Sequence, residues 1–148
     1  MQTFLPYADF AKSAQVLDRQ RLGKQRVETL QVLKALHVPD YGWRQHPAVK
    51  MWQGFGGALL EYQAAICNEW TSRGYRDTCL EKSTAIVLES GLSLANVVMP
   101  DWLGDEELHR SHRSNLIRKF PEHYRPLFEL GLSDDLPYVW PPSQCAVA

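Results

Sequence analysis

The chain has few cysteines. Cys67, Cys79 and Cys145 form neither an even set nor a close pair. That excludes a disulfide framework and reads as a protein of a reducing, cytoplasmic compartment. Long apolar runs are also missing. The most apolar stretch, "TAIVLESGLSLANVVM", is interrupted by Glu89 and Gly91, well short of the roughly 20 residues a membrane span needs. No membrane partner is expected. The start, "MQTFLPYADFAKS", lacks the basic residues and apolar stretch of a secretory signal. There is no repeat, no low-complexity tract and no obvious linker. No segment alternates convincingly between apolar and polar, so strands are not expected.

What is present is helical patterning in a length of 148 residues, with 45% apolar and 22% charged composition, suited to one domain with a real core. A single all-α domain over residues 1–148 is the expectation, a compact helical bundle with an irregular tail. Asp9 can cap a short helix through "FAKSAQV", and Asp18 a longer one from 19 to about 36, ended by "HVPDYGW". Gly23 weakens that second helix. Pro47 suits the first turn of a third, which Gly74 follows. Between them Trp52, Phe55, Leu59, Tyr62, Ile66 and Trp70 recur at three and four residues, an amphipathic core pattern. "TCLE" has capping-box spacing for a fourth helix stopping at Gly91, and a fifth runs from Asp105 to Lys119, before Pro121. The tail "DDLPYVWPPSQCAVA" is rich in proline and aromatics and should be irregular.

The formal net charge is only −1, yet positive charge is concentrated twice. From Lys12 to Lys34 six cations meet two acids, and from Glu107 to Arg125 five cations meet two acids beside three histidines. Brought together, the segments would form a polyanion-binding face. Arg19, Arg21 and Arg26 come from the first; Arg110, His112, Arg113, Arg118 and Lys119 come from the second. Two solvated helix faces would give the same pattern. His109 and His112 lie three apart, but two histidines with no third ligand do not make a metal site. No metal and no cofactor is expected.

One residue is out of place in the first segment. In "LDRQRLGKQRVETLQ", Asp18, Arg21, Gln25 and Glu28 follow three- and four-residue steps on one polar stripe, with Lys24 four residues before Glu28. Ordinary surface ion pairs would explain it. So would a carboxylate held where phosphates dock, able to stabilise a cationic sugar-like transition state or move a proton during glycosidic cleavage.

These residues resemble the pattern of the pyrimidine-dimer DNA glycosylase family, the endonuclease-five-type enzymes of phage and their cellular relatives. An "LDxxxL" entry is followed, ten residues after its aspartate, by a glutamate on the same helix, the spacing of Asp18 and Glu28. "GWRQHPAVKMW" is similar to the family's aromatic–x–x–His–Pro segment, and "ALLEYQAAICNEWTSRGY" to its long helix ending in Arg-Gly-aromatic. The similarity covers about residues 1–76; the distal part, 77–148, resembles a separate cellular subgroup.

The resemblance implies a compact all-α enzyme that flips a nucleotide and attacks the anomeric carbon with an amine. By position the catalytic carboxylate is Glu28, and the amine is the N-terminal one. Gln2 should leave the initiator in place, which makes it the amine of Met1; its unperturbed pKa near 7.7–8 leaves a useful neutral fraction. Lys24 is the substitute. The match also favours a site-proximal role for His46, as a cap or facing a phosphate. Among the aromatics, Trp43, Trp102, Tyr138 and Trp140 fall in loops, where they can stack on bases or simply pack.

Three readings stay open. The first is a DNA glycosylase, with or without AP-lyase activity, acting on a damaged or modified base in double-stranded DNA. The second is a non-catalytic nucleic-acid-binding protein with the same fold, and the third a nucleoside or nucleotide hydrolase. Oligomeric state is not specified by the sequence.

Overall fold

A computed structural model describes residues 1–142, so Cys145 lies outside the described residues. Seven helices and no strand are found among them: α1 Phe10–Val16, α2 Arg19–His37, α3 Pro47–Lys50, α4 Gly56–Ser72, α5 Cys79–Glu89, α6 Glu106–Lys119 and α7 Pro121–Tyr124. The fold is all-α, as the patterning predicts. No helix among the described residues is long and apolar enough to cross a membrane.

Three helices begin where an aspartate can satisfy orphan backbone donors. Asp9 accepts from the Lys12 amide at 2.8 Å, Asp18 from the Arg21 amide at 3.4 Å and Asp105 from the Glu107 amide at 3.1 Å. α2 packs against both α4 and α5, and α1 against α4. Leu17, Leu22, Leu33 and Leu59 are fully enclosed there, each burial contributing about 1.5–3 kcal/mol. Gly23, a weak point by propensity, is needed for this packing. A Cβ at that position would lie 2.9 Å from the Trp70 indole, so any side chain would force that ring off its contacts with Arg26 and Tyr75.

Two expectations change. The third helix is not continuous from Pro47. α3 ends after one turn, Gly54 takes a left-handed φ of 83°, and α4 starts at Gly56. The apolar spacing misled because Trp52 lies in the intervening turn yet is fully buried, its indole N–H donating to Thr3 Oγ1 at 3.0 Å. Burial on one side looks the same whether the backbone is helical or turning. At α5, Thr78 makes no capping bond. Asp77 replaces it, accepting from the Cys79 and Leu80 amides at 3.1 and 3.0 Å while holding Arg26 at 2.6 Å. A carboxylate can serve all three donors, which a hydroxyl cannot.

After α7 the chain runs back along α6. Ser114 Oγ accepts the Leu136 amide and Ser111 Oγ the Val139 amide, each at 3.1 Å, and Asn115 donates to the Leu136 carbonyl at 2.9 Å. The irregular tail is therefore stitched down, which brings Tyr138 and Trp140 against the core.

Candidate active site

The first six residues form neither helix nor strand, yet Gln2 through Pro6 are buried. Their backbone is held almost entirely by side chains. Gln25, on α2, grips both sides of the segment: its Oε1 accepts the Phe4 amide at 2.9 Å and its Nε2 donates to the Gln2 carbonyl at 2.8 Å. Tyr62, on α4, donates to the Phe4 carbonyl at 2.6 Å. From α6, His112 Nδ1 accepts the Leu5 amide at 2.9 Å, His109 Nδ1 bonds the Leu5 carbonyl at 2.8 Å and Arg113 donates to the Pro6 carbonyl at 2.8 Å.

This clamp fixes the chain start against Glu28. The Glu28 Oε2 accepts the Gln2 amide at 3.1 Å, one residue from the α-amine, and its Oε1 lies 3.6 Å from Lys24 Nζ. Met1, Gln2, Lys24 and Glu28 line a pocket of about 280 Å³, joined by Gln20, Arg21, Gln25 and Lys119. Phe4 and Tyr138 supply its apolar wall. Gln2 Nε2 is buried with no hydrogen-bond partner among the described residues.

The pocket is predominantly cationic around one carboxylate. Burial, then repulsion from Arg21, Arg118 and Lys24, holds the Lys119 ammonium below its usual pKa. His46 borders the same site. Its pKa is lowered by burial and by the positive chain start, while Glu28 pulls it upward. His46 Nδ1 caps α3 by accepting the Ala48 amide at 3.0 Å, so its ring is fixed. At the entry to α2, burial opposes the Asp18 charge, but hydrogen bonds from Tyr124 and Arg21 prevail and keep its pKa below the usual carboxylate value.

The expected phosphate-binding cations divide. Arg21, Lys24 and Lys119 converge on the pocket, and Arg19 and Arg118 are exposed. Arg110 is exposed too, but it lines a separate hollow with Glu107, Leu136 and Pro137. Three residues are not available to DNA. Arg113 is buried; besides Pro6 it binds both Glu129 oxygens at 3.0 Å and also Glu106. His112 is fully enclosed, and burial, then His109, pushes its pKa down to about 3. Arg26 is spent on Asp77 and stacks 4.4 Å from the Trp70 ring centre. In each case partners distant in sequence claim the side chain.

The histidine pair has an equally definite use. His109 Nε2 accepts the Gly104 amide at 2.9 Å, so both its ring nitrogens are engaged in protein bonds. Trp102, expected in a loop, is buried and donates to the Met51 carbonyl at 3.0 Å. Gln25 and Tyr62 as clamp residues, and Gln2 and Phe4 as pocket walls, were missed by sequence reasoning. The available signal was Gln25 on the stripe of Glu28; nothing local connects either residue to the chain start.

No curated protein and no solved structure matches the chain. The sequence pattern of one family does, over residues 1–83, more than half of the 148. That region contains the chain start, all of α2 with Glu28, and α4. The chain belongs to the pyrimidine dimer DNA glycosylase family, and its substrate class is DNA.

Proposed function

We propose that this chain is a DNA glycosylase with lyase capability, acting on a damaged or modified base in double-stranded DNA through the α-amine of Met1 and the carboxylate of Glu28. One observation carries the reading: Glu28 accepts the Gln2 amide at 3.1 Å in a pocket that Met1 also lines. Chain termini ordinarily fray. A terminus bound by side chains from three helices has a defined position, and positioning of a nucleophile is worth a large share of a barrier.

In the proposed reaction the neutral amine donates its lone pair to C1′, and the glycosidic bond breaks with its electron pair leaving on the base. Glu28 takes the proton released by the amine and returns it to O4′ as the sugar ring opens, leaving an imine between protein and sugar. Glu28, a carboxylate again, takes a C2′ proton; the C–H electron pair forms the C2′–C3′ double bond and the C3′–O bond breaks with its pair leaving on the 3′ phosphate, the lyase step. Arg21, Lys24 and Lys119 face the flanking phosphates. Lys24, 3.6 Å from Glu28 and largely exposed, is the second candidate nucleophile.

Incubating the protein with duplexes carrying different lesions or an abasic site, with borohydride present, tests the reading. A trapped adduct mapping to Met1 is expected, and blocking the α-amine should abolish it. Mapping to Lys24 moves the nucleophile. Base release without trapping makes water the nucleophile, and hydrolysis of free nucleosides alone replaces the reading with a small-substrate hydrolase.

A further inference from the structure

The loop between α2 and α3 contains an unusual tryptophan. Trp43 is 60% exposed, in contrast to the enclosed Trp52 and Trp102. Its φ of 74° lies in the left-handed region, although Gly42 sits beside it; for a bulky residue that is a true outlier. The loop around it is ordered by bonds. Arg44 donates to the Val38 carbonyl at 3.0 Å, and the His46 amide donates to the Trp43 carbonyl at 2.9 Å.

Behind Trp43 the rings form a continuous row into the pocket. Trp43 meets His46 at 6.1 Å, His46 meets Trp140 at 6.3 Å, and Trp140 meets Tyr138 at 5.7 Å. Tyr138 lines the pocket with Glu28. The exposed end of this row is a single indole flanked by a cation, Arg44. An extended apolar face would suit a protein partner; an isolated flat ring next to positive charge suits a nucleobase beside phosphates.

We propose that Trp43 enters the DNA stack next to the reacting nucleotide and fills the gap that nucleotide leaves. The inference rests on the DNA glycosylase reading. A nucleotide drawn into the pocket leaves unstacked neighbours, and an aromatic ring can replace the lost stacking without reading sequence. The row from His46 to Tyr138 fixes the distance between that ring and Glu28, so insertion and delivery of the nucleotide are one event. Trp43 is a binding residue that touches substrate bases; it takes no part in bond cleavage.

The test compares an oligonucleotide carrying one abasic site as a duplex and as a free strand, for the parent, Trp43→Ala, Trp43→Leu and Trp43→Phe. With the duplex, the rate of borohydride-trapped adduct should fall at least about tenfold in the alanine and leucine variants, the equivalent of about 1.4 kcal/mol of stacking. The phenylalanine variant should recover most of it. With the free strand, which has no stack to fill, all four should react alike. A 2-aminopurine beside the abasic site gives a readout independent of chemistry: its fluorescence should respond to the parent and to Trp43→Phe, and not to the other two. Equal losses on duplex and free strand, or an unchanged 2-aminopurine response in Trp43→Leu, overturn the role of Trp43 while leaving an active parent. A parent that traps neither substrate but shows the fluorescence pattern removes the amine mechanism and keeps the stacking role.

Discussion

The two basic segments look alike as sequence and have opposite fates. In the first, on α2, Arg19 and Lys24 are exposed and Arg21 is half-buried at the pocket. In the second, on α6, His109, His112 and Arg113 are turned inward onto the chain start, while Arg110, Arg118 and Lys119 stay exposed. The difference lies in where acids and carbonyls fall. α6 has Glu106 at its own start and Glu129 beyond α7, and both reach Arg113. Local positive charge therefore reports the number of cations and not their direction. One segment lines the pocket; the other holds the chain start in place.

Glu28→Gln removes the one carboxylate that lines the cationic pocket. Turnover should fall at least about 10²-fold, the low end of what positioned acid–base groups supply. Binding to a duplex should hold or tighten, since a negative charge near phosphates is gone. Full turnover in that variant, measured beside its affinity, would end the catalytic assignment.

Arg113→Met probes the other side. It removes bonds to Glu129, Glu106 and the Pro6 carbonyl, and stability should drop by about 2 kcal/mol, read from a denaturant midpoint. Larger values for a fully buried ion pair are not expected, because both carboxylates can turn to water. The salt dependence of DNA binding should not change. A reduced salt slope with intact stability would return Arg113 to the phosphate-binding face.

Acid titration sharpens the role of His112. Its folded pKa of about 3 lies below the ordinary 6.5. The unfolded chain binds a proton in that interval that the fold excludes. Stability is then full above about pH 6.5 and falls toward pH 3, by at most about 1.4 kcal/mol per pH unit. His112→Gln keeps an acceptor for the Leu5 amide and removes the titration, so its curve should be flatter. His37 and His46, depressed in the same direction, retain part of the slope, and Asp18 contributes only below its ordinary 3.8. Parallel curves for parent and variant would contradict a neutral, buried His112.

The smallest effect belongs to Lys119→Gln. As an exposed cation at the pocket, it should reduce the slope of log affinity against log salt by roughly 0.9 for one phosphate contact. Stability should stay within about 0.5 kcal/mol. An unchanged slope would place Lys119 off the DNA.

Helix starts at Asp9, Asp18 and Asp105 were legible because a cap is a local event, settled within three residues of backbone. The break between α3 and α4 was not, because Trp52 keeps helical spacing while its indole is held by Thr3, 49 residues away. At the candidate site, the stripe of Asp18, Arg21, Gln25 and Glu28 followed from helix geometry alone. Its meeting with Met1 and Lys119 did not, since nothing within α2 says what lies above it. Family resemblance supplied the link to the chain start that periodicity could not. The inward turn of His112 and Arg113 was illegible for the same reason: their partners Leu5 and Pro6 are each 107 residues distant.

That distance has a consequence for how the protein is made. Residues 1–6 leave the ribosome well before α6, because the side chains that hold Leu5 and Pro6 are more than a hundred codons downstream. At about 5–20 residues per second, the start of the chain waits for several seconds before its last restraints are translated. α1, α2 and α4 can pack in that interval, but the pocket is not complete until α6 emerges. Residues 1–6 are synthesised long before α6 and are set in place only after it.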